Sequence, residues 1–336
     1  MQIEEILTHF KNKSVLVTGG TGLIGRQVVG LLKQANANIR LVSLDDVKVG
    51  EQIEHIQGDL CDFSFCKEIS KDMDYVFHIA GIKGSPKMTL ERPASFLVPL
   101  LMMNTNMLEA SRVNRVPKLI YTSSIGAYAP AEFFKESDLG QEQPPMDHFP
   151  GWAKRVAEFQ IQSYQIQYEL NSYAMVRLCN VYGPGDNFDP ANAMVIPALI
   201  SRIAGGENPL KVMGDGTAVR DFAYSGDVAE GIIRAIHFGT GKSYVNLGSG
   251  IGYSIKTLVE TLKEVCDFDY EFDSLPSSGF SRRVMDVTLA RESIGYNPQM
   301  SLKDGLSQTW DWYKANSQEH LSKKNYFKRE SESHAN

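Results

Sequence analysis

Several residues in this chain carry chemistry at recognisable spacing. Foremost is a glycine turn, Thr18-Gly19-Gly20-Thr21-Gly22-Leu23-Ile24-Gly25, which follows the apolar run Val15-Leu16-Val17. Its spacing is G-x-x-G-x-x-G. A strand ending there must turn with no side chain in the way, which suits Gly19 and Gly20. Gly22 lets an anion approach the next helix, where unpaired N–H groups and the helix dipole favour a pyrophosphate. Gly25 lets that helix pack closely on its strand. About twenty residues further on stand Asp45 and Asp46. A carboxylate there accepts hydrogen bonds from an adenosine ribose and repels a 2′-phosphate, which favours NAD over NADP. A solvated turn aspartate fits the same place. Lys83 sits in a Gly-Ser-Pro loop and Asp147-His148 precede a helix. A desolvated lysine can act as a base and a histidine titrates near neutrality. Plain solvated roles suit these side chains as well, and Lys83 also suits a diphosphate.

The elements that must position these residues alternate. Strands are expected at 14–18, 39–44, 53–56, 75–79, 119–123, 175–178 and 244–247. Helices are expected at 2–11, 22–35, 95–113 and 152–169. Alternation across 14–180 implies an α/β fold, a doubly wound parallel Rossmann sheet with right-handed crossovers. Ligands of such sheets bind at the carboxyl ends of the strands. That rule gathers the glycine turn, Asp45, Asp59, Ala80 and Ser124 into one crevice. Gly58-Asp59-Leu60 can flank an adenine ring, and Ala80-Gly81 are small where a cofactor must pass. Beyond 180 the pattern turns irregular and reads as a smaller lobe closing over the crevice. The expected organisation is a dinucleotide-binding domain at 1–180, a substrate lobe at 181–320 and a polar tail at 321–336. The strand near 244–247 can return to the main sheet.

The 336 residues are 43% hydrophobic and 22% charged, ordinary for a globular protein. A net charge of −6 gives no basic field for nucleic acid. The one basic cluster, Lys323, Lys324, Lys328 and Arg329, is diluted by Glu330 and Glu332 and reads as a solvated tail. Cys61, Cys66, Cys179 and Cys266 form no C-x-x-C pair, so reduced thiols in the cytoplasm are expected and no metal site is. No signal pattern or membrane-length apolar run is present.

Taken together, several motifs resemble the extended short-chain dehydrogenase/reductase family, the NAD-dependent epimerases and dehydratases of nucleotide sugars. They are the glycine turn, Gly58-Asp59-Leu60, His78-Ile79-Ala80-Gly81, Thr122-Ser123-Ser124, Asn180-Val181-Tyr182-Gly183-Pro184, Gly214-Asp215-Gly216, Arg220-Asp221-Phe222 and Asp227-Val228-Ala229. Asp186-Asn187-Phe188 and Val195-Ile196-Pro197-Ala198-Leu199 resemble the GDP-fucose synthase-like branch. The resemblance implies that Gly19, Thr21, Gly22, Leu23, Ile24, Gly25, Asp45, Asp59, Leu60, Ala80 and Lys154 hold NAD. It implies a nucleotide-sugar substrate held by Lys83, Ser124, Asn180, Arg220 and Arg283. Ser124 and Lys154 match the family's catalytic serine and lysine. A homodimer through the two long helices is implied too; the Met102, Met103 and Met107 face fits that or simply core. Glu109 and Glu158, on the same helices, read as surface residues.

One departure bears on the reaction. The family's tyrosine, whose phenol moves the proton, belongs four residues before Lys154, and Pro150 stands there. Proline suits the first turn of a helix but has no proton to give. The fucose synthase branch carries a cysteine two residues after the serine and a histidine before the Val-Ile-Pro run; this chain has Gly126 and Met194. The acidic pair of dehydratases is Ile125-Gly126 here. Open replacements for the tyrosine are Tyr128, Lys83, Asp147 or His148, the substrate itself, or a water. The expected activity is epimerase/dehydratase chemistry through a transient ketone with a non-standard proton relay. The rivals are an NAD-binding regulatory or scaffold protein and an enzyme with a non-sugar substrate.

Overall fold

The computed structural model describes residues 1–322 except 52, 139–142, 190 and 274–278. The basic cluster at 323–329 and nearly all of the tail therefore lie outside the described residues. The chain opens with α1 (Ile3–Leu7), followed by a single 3-10 turn at Thr8–Phe10 in place of one helix over 2–11. The first strand, β1 (Ser14–Thr18), leads through the glycine turn into α2 (Leu23–Gln34). Then come β2 (Asn38–Ser43), β3 (Glu54–Gln57), α3 (Phe63–Ile69), β4 (Tyr75–His78), α4 (Pro86–Glu91), α5 (Ala94–Val113), β5 (Lys118–Ser124) and α6 (His148–Gln167).

These strands, with Tyr173–Leu178 and Tyr244–Leu247, form one parallel sheet. Its order is Tyr244–Leu247, Tyr173–Leu178, β5, β4, β1, β2, β3. Helices cover both faces, so the central strands are apolar throughout; Val15, Leu16 and Val17 are fully buried. The strand order turns back beside β1, between β4 and β2, and it is there that an open α/β sheet has its ligand crevice. The doubly wound fold is therefore as the alternation implied.

A second core gathers Phe188, Leu199, Ile200, Leu258, Leu262 and Leu306. Beside it a small sheet runs Gly252–Ser254, Val219–Tyr224, Arg282–Met285, Phe133–Phe134, and Asn180–Tyr182 also pairs with Val219–Tyr224. Only Cys179 separates Asn180–Tyr182 from the main-sheet strand before it. The small sheet thus begins at the carboxyl end of the large one, where the crevice opens.

Two expectations need correction. The helix expected at 152–169 starts at His148, which puts Pro150 third in its first turn, where its missing N–H costs no helical bond. Glu158 is not a surface residue: it is 3% exposed and paired with Arg177. Burying a residue of α6 in that way needs a cation on the sheet, which nothing local to 158 reveals. Met103 and Met107 belong to the core, whereas Met102 is exposed. Cys66 and Cys179 are buried, Cys61 and Cys266 half-buried, and all four are free. Among the described residues no helix is long and apolar enough to cross a membrane.

Candidate active site

A cleft of about 1340 Å³ opens along the carboxyl ends of the main-sheet strands. At one end it is lined by Gly19, Thr21, Gly22, Leu23, Ile24 and Gly25, then by Asp45, Asp59, Leu60 and Ala80. Gly19 takes φ +69°, and a Cβ on it would stand 2.8 Å from the Ala80 backbone. A Cβ on Gly25 would stand 2.2 Å from the Gly19 carbonyl, so the approach of α2 to its strand depends on glycine. Gly22 is the N-cap of α2 and brings no side chain to its first-turn N–H groups. They are left for a ligand, as a dinucleotide pyrophosphate requires. Thr21 Oγ1 donates to Asp45 Oδ2 at 3.4 Å and Ser43 Oγ to the Asp45 carbonyl at 2.6 Å, which ties the β2 end to the turn. Asp59 accepts the Cys61 N–H at 2.9 Å and stays exposed, while Leu60 is buried.

Behind this end lies a buried polar chain. Thr18 Oγ1 accepts the N–H groups of Ile79 and Ala80, each at 3.2 Å, and meets His78 Nδ1 at 2.9 Å. His78 Nε2 meets Asn104 Oδ1 at 3.0 Å. The amide oxygen can only accept, so Nε2 carries the proton and Nδ1 accepts from the threonine hydroxyl. Burial, helped by the Lys154 charge, pushes His78 down to about 3 and keeps it neutral. Asn104 Nδ2 donates onward to the Tyr121 hydroxyl at 3.1 Å. The chain locks β1, β4, β5 and α5 around the turn.

Midway along the cleft, Ser124, Pro150 and Lys154 all line the wall. Ser124 Oγ accepts the Gly126 N–H at 3.1 Å, so its own proton stays available. Lys154 Nζ donates to the Thr122 carbonyl at 2.8 Å and lies 5.0 Å above the Tyr121 ring. Burial lowers its pKa to about 8, against a raising pull from Glu158. Tyr128 does not join them. It is 2% exposed, its hydroxyl donates to Asn246 Oδ1 at 2.9 Å, and burial raises its pKa well above the usual value. That removes it as a replacement for the missing tyrosine.

The far end carries the cations. Lys83 is 3.4 Å from Asp186, and Asn180 donates from Nδ2 to the Asp221 carbonyl at 3.1 Å. Arg283 lines the cleft, and its buried Nε has no partner among the described residues. Arg220 is its register neighbour in the small sheet. It lies outside the cleft lining, donates to its own Val219 carbonyl at 2.8 Å, and has its pKa lowered by burial and by Arg283. It forms no ion pair with Asp221, which instead accepts from Ser249, Gly250 and Met285. Two residues that the residue-by-residue reading passed over also line this end, Asp186 and Asn192. Each is nearly buried, and each keeps an oxygen, Oδ2 and Oδ1, with no partner among the described residues. Buried acceptors of this kind ask for a ligand's hydroxyl or amide donors. Their signal in the sequence was the dense polar run after Gly183-Pro184-Gly185. No three His, Cys, Asp or Glu among the described residues are grouped to hold a metal.

The chain is 31% identical to GDP-L-fucose synthase 1 of Arabidopsis thaliana over an alignment of 316 positions that covers 91% of this chain and 94% of that protein. It is 30% identical to a putative UDP-glucose 4-epimerase of Methanocaldococcus jannaschii, over 90% of this chain and 99% of the relative. Among solved structures, a UDP-glucose 4-epimerase of Thermotoga maritima superposes with a TM-score of 0.79 at 27% identity, over 90% and 99% of the two chains. An epimerase of Methanothermobacter thermautotrophicus reaches a TM-score of 0.86 at 24% identity, over 95% and 97%. That second likeness speaks for the fold alone. The family model matching residues 15–248 spans the glycine turn, Ser124, Lys154 and Asn180. With its strand-end cleft and its sequence relatives, this chain belongs to the NAD dependent epimerase/dehydratase family.

Proposed function

We propose that this protein is an NAD-dependent enzyme of epimerase/dehydratase type that acts on a nucleotide-activated sugar through a transient ketone. One observation carries the reading: a single cleft joins the pyrophosphate-ready turn to the Arg283 guanidinium, whose buried Nε has no partner among the described residues, with Ser124 and Lys154 between them. The turn residues Gly19 to Gly25 bind the dinucleotide pyrophosphate. Asp45 accepts from the adenosine ribose, Asp59 and Leu60 flank the adenine, and Ala80 lets the cofactor pass. NAD fits better than NADP, because the lining at 42–60 holds Asp45 and Asp59 but no Lys or Arg. When bound, the cofactor supplies a hydride acceptor and donor. Lys154 holds its nicotinamide ribose. Ser124 bonds the reacting sugar oxygen. Arg283, supported by Lys83 and Asn180, neutralises the substrate diphosphate, since guanidinium forks match phosphate oxygens. Arg220 stands beside Arg283 in the small sheet, outside the cleft lining, and enters the cleft only if its side chain moves. Asp186 and Asn192 accept from sugar hydroxyls.

Free cysteines suit a cytoplasmic setting. A homodimer is supported by an exposed apolar face: Val98, Met102 and Val113 on α5, with Val156, Phe159 and Ile166 on α6.

The test is direct. Purified protein with NAD should convert at least one member of a panel of UDP-, GDP- and dTDP-sugars, with transient absorbance of the reduced cofactor. Absence of both product and cofactor reduction across the panel overturns the reading and favours a binding role without chemistry.

A further inference from the structure

We infer that the Asp147 carboxylate takes and returns the sugar hydroxyl's proton in this cleft, in place of the tyrosine missing at position 150. The inference rests on the reading just proposed and names a residue for its unassigned step. Three observations converge on it.

Asp147 lines the cleft together with Ser124 and Lys154. Its backbone is pinned there: its N–H donates to the Gly126 carbonyl at 3.1 Å, and the Met146 N–H donates to the Tyr128 carbonyl at 2.6 Å. The position is therefore set by the segment that follows Ser124 and not by a free loop.

Its side chain lies on Gly126. A Cβ built on that glycine would stand 2.3 Å from Asp147 Oδ2, so the carboxylate fills the volume that a side chain at 126 would take. The same Gly126 donates its N–H to Ser124 Oγ. The carboxylate thus rests against the residue whose amide orients the serine hydroxyl.

Asp147 is also the N-cap of α6, yet its side chain caps nothing. An N-cap aspartate ordinarily accepts from the N–H of the second or third helical residue. Here the third is Pro150, which has no N–H. One residue therefore removes the phenol and also a donor that would draw the carboxylate to the helix end. Asp147 turns instead to Arg283, with Oδ1 3.3 Å from Nη1, and leaves 40% of its side chain exposed. Among the described residues, the Arg220 charge also reaches Asp147 from the strand beside Arg283, and His148 follows it on α6. His148 is exposed, with its ring edge-on to Phe149 at 4.7 Å, and Lys83 is occupied by Asp186.

The proposed step balances. The hydroxyl proton passes to Asp147 Oδ2 as the sugar C–O bond becomes C=O. The hydrogen on that carbon leaves with its electron pair to the oxidised nicotinamide dinucleotide. On reduction both return, and the carboxylate is regenerated.

The experiment compares wild type with Asp147→Asn, Asp147→Glu and Gly126→Ala on whichever panel sugar wild type converts. General acid–base groups contribute about 10²–10⁴-fold, so kcat of Asp147→Asn should fall by that factor. KM, and calorimetric affinity for the matching nucleoside diphosphate, should not weaken, because Arg283 is kept and loses only a competing carboxylate, while the interaction lost to catalysis belongs to the transition state. Asp147→Glu, which keeps the carboxylate, should keep part of the rate. Gly126→Ala displaces the carboxylate without deleting it and should also lower kcat. It decides the matter if Asp147→Asn melts early. An Asp147→Asn enzyme with kcat within about threefold of wild type, or with only KM changed, overturns this inference alone. A wild type inert on every sugar overturns the reading of the site and this step with it.

Discussion

At the residue scale, Lys154 couples the site to pH. Its ammonium is held on the Thr122 carbonyl and over the Tyr121 ring, and burial brings its pKa down to about 8. The group is charged below that value and neutral above it. A lysine that holds the nicotinamide ribose as a cation should therefore lose affinity as pH rises through about 8. Calorimetric titration of NAD across that range should show weakening on the alkaline side. In Lys154→Arg, where the charge persists, the alkaline weakening should disappear. An affinity that stays flat through this range in wild type contradicts the assignment. Lys154 and Ser124 were legible through the family resemblance, because the motifs that carry it are local runs of sequence. Asp186 and Asn192 were not, because only the packing of the second lobe buries their oxygens and leaves them unpartnered.

At the element scale, a buried ion pair helps anchor α6 to the sheet. Glu158 accepts from Arg177 at 2.9 and 2.6 Å, and both side chains are 4% exposed. The Arg177 guanidinium lies 4.1 Å from the Tyr128 ring centroid and 3.7 Å from that of Tyr244. The pair binds the helix carrying Lys154 to the strand Tyr173–Leu178. Removing one partner leaves an uncompensated buried charge, so Glu158→Ala should cost about 3–5 kcal/mol. Chemical denaturation measures it, and an unchanged midpoint refutes it. The pattern of strands and helices was readable because apolar runs and glycine punctuation are short-range signals. The start of α6 was misplaced because Pro150 reads equally as the end of a loop or the first turn of a helix.

At the scale of the whole molecule, two features join distant parts. The C-terminal helix Leu302–Ser322 brings Glu319 to Arg26 at the start of α2, and Arg26 lies 5.2 Å from the Trp312 ring centroid. The end of the described chain thus braces the helix that follows the glycine turn. On the opposite flank, α5 and α6 pack side by side, with Tyr164 donating to Glu109 at 2.5 Å, and turn their exposed apolar residues outward. Ile166 is 80% exposed, a large apolar surface that a second copy would cover. Sedimentation velocity should therefore report a dimer for wild type and a monomer for the Phe159→Glu, Ile166→Glu double variant. A wild-type monomer at micromolar concentration counts against the interface.

The sequence by itself determined the turn, the alternation and so the strand-end crevice, because each depends on residues close together along the chain. It also exposed the absence of a phenol at position 150. Tertiary structure alone decided that Tyr128 is spent in the core, that Glu158 is buried and that Arg220 lies outside the cleft lining. It alone laid the Asp147 carboxylate on Gly126. Those outcomes depend on which distant segments pack together, and the low dielectric of that packing determines which polar groups are spent and which remain free for chemistry.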